Sequence, residues 1–98
     1  MSYRFILPGR VENQIYDCPL YIAQDNPVRA VSWVDDVIAA MKNVCDMPHA
    51  HTEDHEMSLR VGRTIRHIPF GEYLILYEVD EEHKAVVMHL FIHAKRNR

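Results

Sequence analysis

Residues 63–96 read "RTIRHIPFGEYLILYEVDEEHKAVVMHLFIHAKR". Three runs in this stretch, 63–70, 72–79 and 85–92, are rich in Ile, Val, Leu, Tyr and Phe, side chains that fit a pleated, half-buried surface. Gly71 separates the first two runs and "DEEHK" (80–84) the last two, so both connections are tight turns and the runs form an antiparallel meander. Strict alternation in the last run puts Val86, Met88, Leu90 and Ile92 on one face and Val87, His89, Phe91 and His93 on the other. The first set is wholly apolar and leaves no polar group to satisfy. It is therefore expected to face the core, with His89 and His93 on the opposite face. Arg66 shares a face with Thr64 and Ile68, and Arg63 with Ile65 and His67, but alternation alone does not say which set is buried.

Upstream, "HAHTEDHEMSLRVG" (49–62) is polar, mixed in charge and without period, and reads as a long exposed loop. His49, His51 and His55 lie there among Glu53, Asp54 and Glu56. Their spacing makes no regular helical face and no cysteine is near, so neither a metal site nor any other cofactor is expected. Before the loop, Ala30, Val34, Val37, Ile38, Met41, Val44 and Cys45 recur in the register of an amphipathic helix. Asn26 is placed to cap it, Pro27 takes the first helical position, where a missing N–H costs nothing, and Pro48 closes it. A preceding helix is expected over 10–24, from Val11, Ile15, Cys18 and Ile22, with a kink near Cys18 because Pro19 cannot donate to the carbonyl of Ile15. "SYRFIL" (2–7), stopped by Pro8-Gly9, reads as a first strand. The order β-α-α-β-β-β predicts an α+β fold, a helical hairpin on one face of a small, mostly antiparallel four-stranded sheet.

The 98 residues amount to one domain, 1–98, which on folding buries somewhat under about 70% of the surface of the unfolded chain. Hydrophobic residues at 48% and charged residues at 26% exclude disordered and collagen-like classes. No apolar run is long enough to span a bilayer and no cleavable leader is visible, so the protein is expected to be soluble and cytoplasmic, with no membrane partner. Cys18 and Cys45 lie in helical segments and are expected to be free thiols. A net charge of −3 argues against bulk electrostatic binding of nucleic acid. Basic residues nevertheless cluster at Arg60, Arg63 and Arg66, and again at Lys95, Arg96 and Arg98, so a local basic contact surface is expected. Arg66 can bind an anion or partner, or pair with an acid such as Glu78. Trp33 reads as a core edge or an interface anchor, and Tyr73 and Tyr77, on one strand face, as sheet packing.

The helix junction "YIAQDNPVRA" (21–30), the arginine before "IPFGEYLILYEVD" (68–80), and a last strand ending in a histidine and basic residues resemble the RelE/ParE superfamily of bacterial type II toxins. The resemblance covers nearly the whole chain. It implies a cognate antitoxin whose largely disordered segment wraps the toxin and folds as it binds, with operator DNA bound only through the antitoxin. RelE-like members cleave messenger RNA on the ribosome, which here implies His93, Arg66 and Arg63 as catalytic groups. ParE-like members resemble the same scaffold without that set and bind DNA gyrase, with the growth inhibition and plasmid stabilisation that this entails. The sequence departs from the RelE pattern: "HAKRNR" has no tyrosine after the basic residues, lysine occurs only at Lys42, Lys84 and Lys95, and the net charge is negative. The ParE branch is therefore favoured, with Arg60, Arg63, Arg66, His93, Lys95, Arg96 and Trp33 as candidate partner contacts. A ribosome-dependent nuclease and a non-toxic corepressor are the alternatives.

Overall fold

A computed structural model describes residues 3–17 and 27–94. The elements are β1 (Arg4–Ile6), α1 (Gly9–Asp17), α2 (Pro27–Asn43), a 3-10 turn (Val44–Asp46), β2 (Thr52–Glu53), α3 (His55–Val61), β3 (Arg66–Phe70), β4 (Tyr73–Asp80) and β5 (Ala85–His93). The sheet order is β1-β5-β4-β3-β2, with β1 parallel to β5 and every other pairing antiparallel. The α+β class and the meander are as expected from sequence. The sheet has five strands rather than four, because Thr52 and Glu53 pair with His67 and Arg66. The expected kink near Cys18 and Pro19, the Asn26 cap, and Lys95 and Arg96 lie outside the described residues.

Val11 and Ile15 of α1 and Val34, Val37 and Met41 of α2 are buried at helical spacing against Ile75 and Tyr77 of β4 and Val86, Met88 and Phe91 of β5. Each fully buried aliphatic side chain of this kind contributes about 1.5–3 kcal/mol of transfer free energy. The thiol of Cys45 joins this cluster as a small buried hydrophobe, and burial raises its pKa. Met88 pairs with Tyr77 but Leu90 pairs with Leu76, so His89 is an extra residue, a β-bulge, in β5. The bulge reverses the alternation beyond it. Val86 and Met88 face the helices as expected, but Phe91 and His93 then take that face, and Leu90 and Ile92 turn to the other one. The sequence expectation for Leu90, Ile92 and His93 is corrected accordingly, since strict period-two counting does not survive an inserted residue.

The segment 49–62 is not an irregular loop. Asp54 caps α3, its Oδ1 accepting the backbone N–H of Met57 at 3.0 Å. Gly62, in the left-handed region at φ 80°, ends the helix by donating its N–H to the carbonyl of Ser58. Ser58 fastens α3 to the residue before β3: its Oγ accepts from the N–H of Ile65 at 2.8 Å and donates to the carbonyl of Ile65 at 3.2 Å. The pairing of β1 with β5 ends at Val87, and α1 takes over that edge. There Gln14 Oε1 accepts the N–H of Phe91 at 3.0 Å, and Arg10 donates to the carbonyl of His89. Strand groups that would otherwise be open for pairing with another chain are thereby occupied.

Candidate functional site

The 60–66 stretch delivers its three arginines to different places. Arg60 sits one helical turn from Glu56 on α3, at 3.1 Å, with both side chains exposed. Arg63 forks onto Glu78, with Nε to Oε2 at 2.7 Å and Nη2 to Oε1 at 3.1 Å, and this hydrogen bonding raises the pKa of the guanidinium. The acid that the sequence offered to Arg66 is thus taken by Arg63. Arg66 instead donates from Nη1 to the carbonyl of His51 at 2.7 Å. It pairs with Tyr77 across the sheet and so belongs to the helix-covered face, whereas Glu78 lies on the opposite one.

His93 lies at the other end of the sheet. It pairs with Tyr73 and meets that ring edge-on at 5.3 Å between centroids, beside an aromatic group in which Trp33 contacts Phe70, Tyr73 and Phe91 at 5.7–5.9 Å. Trp33 therefore works in packing between α2 and the sheet. Tyr73 and Tyr77 are four residues apart on β4, which separates the His93 end from the Arg66 end by about 13 Å along the strand. Arg63, Arg66 and His93 do not converge on one reacting centre. His89 stands on the face of Glu78, away from α1 and α2, and its pKa is lowered by burial first and by Arg10 next, with Glu78 opposing.

Two carboxylates that the sequence did not single out organise the surroundings. Asp54 is 2% exposed, and besides capping α3 its Oδ2 holds His67 Nδ1 at 3.0 Å. Glu81, in the β4–β5 turn, takes the Tyr3 hydroxyl, His49 Nε2 at 2.8 Å and Lys84 Nζ at 3.0 Å, and these bonds hold its pKa down at about 2. Tyr77 donates its hydroxyl to the carbonyl of Pro48 at 2.7 Å, and burial pushes its pKa up to about 12. The sequence did carry one signal for Asp54: an Asp three residues before Met57, with a Gly eight residues on, is a start-and-stop pair for a short helix.

The histidines of the 49–62 segment point to separate partners. His49 goes to Glu81, His51 meets Tyr77 edge-on, and His55 lies 3.6 Å from Glu53. Among the described residues no group of three or more His, Cys, Asp or Glu side chains is arranged to hold a metal ion. No helix among them is long and apolar enough to cross a membrane.

A family model described as the ParE toxin of a type II toxin-antitoxin system, parDE, matches residues 5–97. No curated protein matches the chain.

Proposed function

Because the chain belongs to the ParE family of type II toxin-antitoxin toxins, we propose that it inhibits growth by binding DNA gyrase and that a cognate antitoxin neutralises it. The observation that carries the binding reading over RNA cleavage is the separation of Arg63, Arg66 and His93. Acid/base catalysis of phosphodiester cleavage asks for a proton acceptor, a donor and a fixed cation within reach of one phosphate. Here one arginine is neutralised by Glu78, the second is on the other face of the sheet, and the histidine lies at the far end. Partner recognition makes no such demand, because contacts spread over a surface act together. Arg66, the carboxylate-paired Arg60 and Arg63, and Lys95 and Arg96 after β5 are the candidate contacts of this reading. The antitoxin brings operator DNA to the complex, and the site of action is the cytoplasm, where gyrase works.

The test is a supercoiling assay with purified gyrase and the full chain, with and without its antitoxin. Supercoiling should fall with added toxin and recover when antitoxin is supplied. Unchanged supercoiling at every concentration, together with codon-linked transcript cuts that His93→Ala abolishes, would replace this reading with a ribosome-dependent nuclease.

A further inference from the structure

Arg66 differs from its two neighbours in what it lacks. Arg60 and Arg63 each hold a carboxylate, whereas Arg66, half-buried, has the carbonyl of His51 and no carboxylate partner among the described residues. A guanidinium drawn partly out of water without a counter-ion carries a desolvation cost that an incoming anion offsets. Its planar fork has five N–H donors, and the His51 carbonyl takes up only Nη1. The group lines a cleft of about 230 Å3 whose other walls are Thr64, His49 and Val79. Thr64 adds a hydroxyl to the lining, His49 a ring whose Nε2 is taken by Glu81, and Val79 an apolar wall. Because Arg66 shares the face of Tyr77 and Val79, the cleft opens on the opposite side of the sheet from the Arg63–Glu78 pair.

The surroundings select the kind of anion. Behind one wall, His49 Nε2 is bonded to the carboxylate of Glu81, which also takes Lys84 Nζ at 3.0 Å. A doubly charged phosphate is opposed by that nearby carboxylate more than a singly charged group is. The net charge of −3 further disfavours a polyanion. A carboxylate brings one charge and a planar pair of oxygens that matches the arginine fork.

We propose that Arg66, with Thr64 and His49, forms a seat for one acidic side chain, aspartate or glutamate, of a peptide partner. The proposal rests on the toxin-antitoxin reading only for the source of that peptide, and the seat is testable without it. The full chain, isotopically labelled, is titrated with N-acetylglutamate amide, which carries a single side-chain carboxylate, while the Arg66 side-chain N–H and the Thr64 amide are followed by NMR. Saturable shifts confined to the cleft are expected, with a dissociation constant in the millimolar range. Arg66→Gln should weaken binding by at least about tenfold, as removal of one partner of a partly desolvated charge pair does. Arg66→Lys keeps the charge without the fork and Thr64→Val leaves the arginine in place, so either serves if the glutamine variant does not fold, and each should weaken binding. Shifts that never saturate, or equal binding by the variants, would overturn the seat. Tighter binding of inorganic phosphate than of the glutamate amide would overturn the choice of carboxylate. Loss of gyrase inhibition or of antitoxin binding is read in separate assays and leaves this result standing.

Discussion

The two faces of the sheet are held by different physics. Toward α1 and α2, Ile75, Tyr77, Val86, Met88 and Phe91 mesh with helical positions three and four residues apart, and apolar burial leads. On the other face Leu76 and, just before β3, Ile65 are also fully buried, yet neither joins that cluster. There the order comes from polar fastenings: Ser58 on the backbone of Ile65, Asp54 on His67, Arg63 on Glu78. One face tolerates repacking and resists dissection by single polar changes; the other depends on a few bonds, each made by one side chain. On that face Arg63 is committed to Glu78, whereas Arg66, which has the carbonyl of His51, belongs by its register with Tyr77 to the helix-covered face.

The bulge at His89 decides which residues belong to which face, and the largest predicted effect tests it. Phe91→Ala removes a side chain only 3% exposed and should cost about 3–5 kcal/mol, as other large-to-small aromatic changes in cores do. Leu90→Ala removes a partly exposed side chain from the other face and should cost clearly less. Urea unfolding of the two variants measures the difference. A larger loss from Leu90→Ala would mean that alternation runs unbroken through β5 and that Leu90, not Phe91, faces the helices.

The same residue marks the boundary of what the sequence makes legible. Val34, Val37 and Met41, and the three strand runs around Gly71 and "DEEHK", declare themselves by period and by turn residues, and the helix-covered face follows from them. A bulge has no local signature in "VVMHLFI", because whether His89 pairs or is skipped depends on the register that β4 imposes from across the sheet. The 49–62 segment misleads for a related reason. Its helix is short and polar, so hydrophobic period is silent, and what makes it a helix is the Asp54 cap and the Gly62 stop. As for the candidate contacts, the sequence names the arginines but not their partners, because Glu78 lies equally within the sequence-level reach of Arg63 and Arg66, and only the face on which each emerges separates them.

The fastenings of the second face yield the next effect in size. Asp54→Ala removes the acceptor for the Met57 N–H and the partner of His67 together, from a position 2% exposed. A lost cap with a buried group left unmatched should cost about 1–3 kcal/mol. Asp54→Ser restores a capping oxygen without reaching His67 and should recover part of the loss. Amide hydrogen exchange localises the effect: exchange at Met57 and along α3 should quicken while the amides of Ile75 and Met88 stay protected. Equal acceleration in both regions would show that the faces are one cooperative unit and that the contrast between them concerns contacts alone.

Glu81 tests whether an exposed polar fastening matters as a buried one does, and its effect should be the smallest. It ties Tyr3, the residue before β1, and the segment after the 3-10 turn, through His49, to the β4–β5 turn, where Lys84 takes a left-handed φ of 49°. Its pKa is lowered from 4.5 to about 2, by the Tyr3 hydroxyl first, then His49 and Lys84. A carboxyl whose folded pKa lies below its unfolded one binds fewer protons in the native state, so stability rises with pH across the interval between them. The contribution of Glu81 is therefore complete above about pH 4.5 and lost as pH falls toward about 2. Exposure of the Glu81 side chain to solvent screens the three bonds and keeps that contribution small beside that of Asp54. Glu81→Gln should flatten the acid limb of stability against pH in that window and leave the curve above it nearly parallel to that of the wild type. An unchanged acid limb would mean that the Tyr3, His49 and Lys84 bonds give way to water in solution, so that only the buried carboxylate fastens the fold.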